Sequence, residues 1–355
     1  MPNTSPLTRY LNPAIGFKAA GVRAHAGPQV SPCPSGSTSL DSRQASSAAC
    51  IKCLDKNERK PSCSDRAMLE PLLGLRSDDH GRTETLDPNE PLPLPLLCAK
   101  INARVAAFLA ADAATERLRR VQEQTRISLG VIEEALDRYS TRTARDIQRL
   151  TASATLGSLE QLSLSYNGGK DCLVLLILFL CALHRKQLAT YSARIQSVYI
   201  ISAHPFAEVD AFVDRSIREY GLALARYAKP MREAFEDYLA DVPAVKAIFV
   251  GTRRTDPHGA NLTHFDATDG GWPAFMRIHP VIDWHYVEIW TFIRHLGIPY
   301  CSLYDQGYTS LGGTTDTHPN PALRAGNAVE ESEKVAFRPA YELVEDEEER
   351  LGRDW

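Results

Sequence analysis

Apolar positions keep no regular spacing before about residue 93 of this chain and keep one almost everywhere after it. From Leu97 onward, Ile101, Val105 and Phe108 recur at helical intervals, and so do Val131, Ile132, Ala135, Leu136 and Tyr139, which predicts an N-terminal helical layer. The period then changes. Leu162, Leu164 and Tyr166 alternate as a strand would and lead into Asn167-Gly168-Gly169-Lys170, after which a helix is expected from Asp171 to about His184. Ile195 to Ile201 reads as a buried strand, followed by a helix carrying Val209, Phe212, Val213 and Ile217. Leu222 to Tyr227 reads as a short strand, and Pro230 stands where the first turn of a helix tolerates it. Val245 to Val250 is a further apolar strand that ends at Gly251. This β-α-β-α-β-α-β order predicts an α/β fold, a parallel sheet with helices on both faces. In such sheets ligands bind beyond the carboxyl ends of the strands. The segments 165–171 and 251–259 stand at two such ends.

Residues 1–92 are crowded with Ser, Pro, Gly and Ala and lack either period, so they read as a disordered or targeting extension. Their first acidic residue is Asp41, preceded by Arg9, Lys18 and Arg23, which is a weak transit-peptide pattern. The location expected from this is cytoplasmic, with a mitochondrial address through the extension as the alternative. The Pro-Leu-Pro-Leu-Pro-Leu run at 91–96 marks the boundary of a folded domain over 93–355.

At 44% hydrophobic residues the chain can build a core, and a net charge of −4 gives no global basic field for nucleic acid. No stretch approaches the run of about 18 apolar residues that a membrane helix needs; the longest, Leu173 to Leu183, reads as a buried helix. No nucleic acid, membrane or protein partner is therefore implied. The eight cysteines form no framework. Cys172, Cys181 and Cys301 lie in apolar or aromatic segments, as buried thiols do. Cys50 and Cys53, with Cys33 and Cys63 nearby, lack the histidines or second Cys-x-x-Cys that would close a zinc site.

Ser165-Tyr166-Asn167-Gly168-Gly169-Lys170-Asp171 reads as strand, tight turn, helix. Adjacent glycines bring backbone N–H groups close to a ligand, and the helix that follows aims its positive dipole end at the same place. Ser165 and Asn167 add side-chain donors and Lys170 a cation, a cradle for pyrophosphate. The string is not a Walker A loop, which would need glycine at Leu164 and Ser or Thr at Asp171.

The string resembles the PP-loop of the ATP-pyrophosphatase superfamily, of adenine-nucleotide α-hydrolase-like fold. Within it, Ser-Tyr-Asn-Gly-Gly-Lys-Asp-Cys is similar to the eukaryotic FAD synthases of the sulfonucleotide-reductase-like group. The resemblance continues through Gly251-Thr-Arg-Arg-Thr-Asp-Pro-His258, the segments 279–290 and 301–313, and Glu349-Arg-Leu-Gly-Arg353. It implies transfer of AMP from ATP to FMN, with Mg²⁺, giving FAD and pyrophosphate by direct in-line attack of the FMN phosphate. ATP would lie on residues 165–171. Asp171 would position Mg²⁺ through water, and Asn167 would hold the departing phosphates. Arg350 and Arg353, on a C-terminal tail, would reach the triphosphate; three apart, they share a helical face, and pairing with the acidic run 345–349 is their structural alternative.

Arg253 and Arg254 suit a phosphomonoester, since guanidinium forks bind phosphate oxygens in pairs. Asp256 could accept from an N–H of the isoalloxazine edge or orient either arginine, and Trp272 offers a face for stacking on a flavin. These four form the expected FMN set. Trp284, Tyr286, Ile289, Trp290 and Ile293 repeat at helical spacing as core, with His285, Glu288 and His295 on the helix's polar side. A phosphoadenylyl-sulfate reductase would need a redox cysteine near the C-terminus, where Cys301 is the only cysteine beyond residue 181. A tRNA-thiolating relative would need paired Cys-x-x-Cys motifs and a basic face. A non-catalytic flavin or nucleotide sensor would be signalled by loss of Asn167, Lys170 or Asp171.

Overall fold

A computed structural model of the chain describes residues 91–140, 159–188, 194–325 and 336–354. The extension before Pro91 and its cysteine cluster lie outside the described residues. Helix α1 (Leu94–Ala110) and helix α2 (Glu116–Tyr139) form the helical layer that the spacing predicts. Thr115 caps α2, its hydroxyl accepting the Leu118 N–H at 3.2 Å.

Next come strand β1 (Leu162–Ser165), helix α3 (Lys170–Arg185), β2 (Ile195–Ile200), helix α4 (Ala207–Tyr220) and β3 (Leu222–Tyr227). Helix α5 (Met231–Asp241) and β4 (Ala247–Phe249) follow, with Pro230 immediately before α5. Two strands that the apolar spacing did not announce, β5 (Phe265–Ala267) and β6 (Met276–Ile278), extend the sheet before helix α6 (Tyr286–His295). Strand order is β3-β2-β1-β4-β6-β5, parallel throughout except for β5 against β6.

Side chains sort to the two faces with the period of two that a strand imposes. Leu162, Leu164, Ala247 and Phe249 pack into the larger core with α1, α2, α3 and α6. Val198 and Ile248 face the opposite way, into a smaller core with Phe235 and Tyr238 of α5. Between Leu162 and Leu164, Ser163 points to the α5 side, where its hydroxyl lies 2.6 Å from the Tyr238 hydroxyl. Helix α3 is buried on every side from Cys172 to Leu183, as a helix that is apolar all round must be. Each large apolar side chain so buried contributes about 1.5–3 kcal/mol.

The tryptophan stripe is core, as expected: Trp284, Tyr286, Ile289, Trp290 and Ile293 are all buried. The polar side assigned to α6 holds for His285 and His295, which are exposed, and is corrected for Glu288. Glu288 is buried, its carboxylate accepting the His285 N–H at 2.9 Å in a capping box, and the His295 ring packs 5.1 Å from that of Phe108. Capping accounts for the burial of Glu288, while His295 packs its ring on Phe108 and stays exposed.

Candidate active site

A cleft of about 850 Å³ opens at the carboxyl ends of the parallel strands. Ser165, Asn167, Gly169, Lys170 and Asp171 line one part of it, and Gly251, Thr252 and Asp256 come from the loop after β4. The two loops meet backbone to backbone. A Cβ added to Gly251 would lie 2.8 Å from the Cys172 nitrogen, so only glycine lets β4 end this close to α3.

The loop 165–171 is braced from inside. Gly168 has φ +75°, and a Cβ there would stand 2.9 Å from Val213 Cγ2. Asn167 Oδ1 accepts the Gly169 N–H at 3.0 Å and the Cys172 thiol at 2.8 Å, which turns the amide nitrogen the other way. The Lys170 N–H donates to the Tyr304 hydroxyl at 2.9 Å. Two N–H groups that the sequence assigns to a phosphate therefore already have protein partners. Tyr166 does not reach the cleft: it is fully buried, and its hydroxyl donates to Ser216 at 2.8 Å. Burial pushes the Cys172 thiol up to about 12, so it is a protonated donor and not a nucleophile.

Lys170, a cation in the sequence reading of the cradle, is buried in an ionic cluster. Its ammonium lies 3.0 Å from Asp171 Oδ2 and 2.5 Å from Glu349 Oε1, and over the Tyr286 ring. Burial works against its charge, but Asp171 and Glu349 outweigh it and raise the pKa. Arg253 is the second cation of the cluster, with 0% of its side chain exposed. It pairs with Glu349, faces Asp171 Oδ1 at 2.9 Å and reaches Asp346 at 3.4 Å. Burial alone would raise the Asp171 carboxyl, yet Arg253 and Lys170 together hold it below the usual carboxylate range.

The expected FMN-phosphate arginines are corrected on this geometry. Arg253 spends its guanidinium on four carboxylates inside the protein, Asp171, Asp256, Asp346 and Glu349. Arg254 turns to the other side of its loop, pairing with Asp283 at 2.7 Å and donating to the carbonyls of Ala260 and Leu262 at 3.0 Å each. Neither lines the cleft. Asp256 and Trp272 do. Asp256 Oδ2 accepts the Arg253 N–H at 2.8 Å, and its Oδ1 faces Arg350 at 3.5 Å. Trp272, 39% exposed, stands at the cleft beside Phe235. The two tail arginines part company: Arg350 lines the cleft, whereas Arg353 pairs with Asp316 at 3.4 Å and lies against Gly312.

Several lining residues escaped the sequence reading. Asp269, Phe275, Arg277 and His279 form a wall, and the last three alternate along β6 and its exit, with Met276 and Ile278 turned away. That alternation was a signal that could have found them. Glu349 had none, since an acid inside an acidic run looks solvated.

Residues 161–238 and 226–319 match the phosphoadenosine phosphosulfate reductase domain family. A probable FAD synthase of Schizosaccharomyces pombe is 39% identical over 246 residues, spanning 68% of this chain and 83% of that protein. The flavin adenine dinucleotide synthase of Saccharomyces cerevisiae is 36% identical over 203 residues, 52% of this chain and 65% of its own. The solved structure of Candida glabrata FMN adenylyltransferase with FMN and the ATP analogue AMPCPP superposes with a TM-score of 0.65. It is 27% identical over 74% of this chain and 100% of that one.

Proposed function

The chain belongs to the FAD synthase family, and from that premise we propose that its cleft joins the AMP of ATP to the phosphate of FMN. An FMN phosphate oxygen attacks the α-phosphorus in line, the bond to the bridging oxygen breaks, and pyrophosphate leaves. The observation that carries this reading is one cleft lined by two chemically different sets of residues. The loop after β1 supplies Ser165, Asn167, Gly169, Lys170 and Asp171. The segment at β6, beyond β4 in the sheet, supplies Phe275 and Arg277 with Trp272 before it, and Asp256 and Arg350 also line the cleft.

The attacking oxygen is already an anion at neutral pH, so the site needs alignment and charge more than a base. Asn167, its amide nitrogen turned out by the Gly169 and Cys172 contacts, is placed to donate to the phosphates. Arg350 supplies positive charge in the cleft, 3.5 Å from Asp256. Arg353 acts by fixing the tail against residues 312–316. Asp171 fits a magnesium carried by ATP: its Oδ1 lies against Arg253 without an aligned hydrogen bond, and among the described residues no cluster of three ligands exists. A metal held chiefly by substrate phosphates and one carboxylate, through water, matches that donor set. When bound, the ion offsets charge on the departing pyrophosphate.

The reductase reading suffers on geometry. Cys301 is buried and burial raises its pKa, the opposite of what a redox thiol requires. Incubating the chain with ATP, FMN and Mg²⁺ should produce FAD, seen as loss of flavin fluorescence with matching pyrophosphate release. Binding of both substrates without FAD would replace the enzyme by a flavin or nucleotide sensor.

Trp272→Ala is expected to weaken FMN ten- to a hundredfold, about 1–3 kcal/mol, and leave ATP unchanged. Asp256→Ala should weaken FMN similarly, and it also loosens Arg253 and Arg350, so Trp272 is the cleaner probe. Separate calorimetric titrations decide; ATP weakened with FMN spared would exchange the two sets.

A further inference from the structure

We infer that His279 is a flavin-contact residue, reading the polar edge of the isoalloxazine at the β6 wall of the cleft; this rests on the functional reading above. His279 lines the cleft with only 1% of its surface exposed, and neither ring nitrogen has a hydrogen-bond partner. An unsatisfied buried polar atom costs about 1–3 kcal/mol, so two on one ring call for a partner that the free protein does not supply.

The ring's position is fixed from the backbone. The His279 N–H donates to the His264 carbonyl at 3.0 Å, and its own carbonyl lies 3.0 Å from His264 Nδ1. Next along the chain, the Pro280 carbonyl accepts the buried Ser128 hydroxyl at 2.7 Å, and Ser128 in turn accepts from Trp284. The nearest carboxylate, Asp266, stops 4.0 Å from Nε2 and is engaged instead by the Thr263 N–H and hydroxyl. Burial pushes the imidazole down to about 4, with Arg277 and His264 adding to the effect and Asp266 opposing it. At neutral pH it therefore offers one donor and one acceptor.

The neighbours select the ligand's shape. Phe275 and Arg277 share the strand face with His279, and Trp272 stands on the same cleft, giving flat apolar surface beside nitrogen donors. A flat heterocycle whose rim alternates carbonyl and N–H groups fits that wall, and the pyrimidine ring of a flavin is one. An adenine ring also alternates donors and acceptors, so the test separates the two ligands.

Calorimetry on wild type, His279→Leu and His279→Asn, with FMN and with ATP, measures the assignment. His279→Leu should lose at least about tenfold in FMN affinity with ATP unchanged, and His279→Asn, which keeps a donor and an acceptor, should recover most of it. In wild-type protein labelled with ¹⁵N-histidine, FMN and not ATP should shift the His279 ring nitrogens, a change that a purely structural histidine would not show. FMN affinity within twofold of wild type in folded His279→Leu overturns the assignment. So do ring nitrogens that FMN leaves unmoved, which decides the matter even if the leucine variant fails to fold. A wild-type chain that binds ATP and not FMN overturns the functional reading, and this assignment with it.

Discussion

Asn167→Ala should cut FAD formation about a hundred- to a thousandfold, the loss expected when one preorganised donor to developing charge is removed, about 2.7–4 kcal/mol. Fold stability should hardly change, because Asn167 stands at the cleft and its inward contacts are with Gly169 and Cys172 alone. Asp171 needs a subtler substitution. Alanine there would also leave Arg253 facing an empty position and Lys170 with one carboxylate fewer, mixing a fold effect with a catalytic one. Asp171→Asn keeps the shape and removes the charge, and a loss of similar size is expected in turnover. Single-turnover fluorescence beside a thermal melt separates the contributions. Turnover near wild type in Asn167→Ala, with a normal melt, removes the loop from the chemistry.

The second large effect is on stability, and it lies in the tail. Glu349→Ala should destabilise the domain by about 3–5 kcal/mol, the usual result of stripping one partner from a buried ionic cluster. Lys170 and Arg253 both pair with this carboxylate, and both are buried where water cannot replace it. For a domain of this size the melting temperature should fall by roughly 10 °C. Glu349→Gln should fall between, since the amide keeps the volume and loses the charge. A melt within a degree or two of wild type for the alanine variant would mean the cluster adds no net stability.

The parallel sheet was legible because its four longest-range features obey simple periods: alternation through Leu162 and Leu164, apolar runs at β2 and β4, and helical spacing between them. Strands β5 and β6 went unread because neither is a continuous apolar run like the one that marks β4, although Phe275, Arg277 and His279 do alternate along β6 and its exit. The strand–turn–helix at 165–171 was legible because adjacent glycines, asparagine and lysine between an alternating strand and an apolar helix constrain the backbone. Its inner wiring was not. Nothing local says that Tyr166 faces Ser216, that Tyr304 takes the Lys170 N–H, or that Arg253 meets Glu349, because each contact joins residues remote in sequence. The arginine pair shows the limit most clearly. Guanidinium next to guanidinium suits a phosphate on chemical grounds, yet the fold turns one inward to carboxylates and the other sideways to Asp283 and two carbonyls. Sequence identifies a charge; only the tertiary partners decide whether a ligand can use it.

The meeting of β1 with β4, where Leu162 lies beside Ala247, has a kinetic consequence. Those strands are separated in sequence by α3, β2, α4, β3 and α5, so their pairing closes a long loop before any contact offsets the lost entropy. Helices α1 and α2, adjacent in the chain, carry no such burden. The cleft needs the late event, because Gly251 reaches the Cys172 backbone only once β4 is beside β1. During refolding, far-UV dichroism from the helices should therefore recover ahead of ATP binding, followed in the same stopped-flow experiment; coincident traces would show that the sheet closes together with the helical layer.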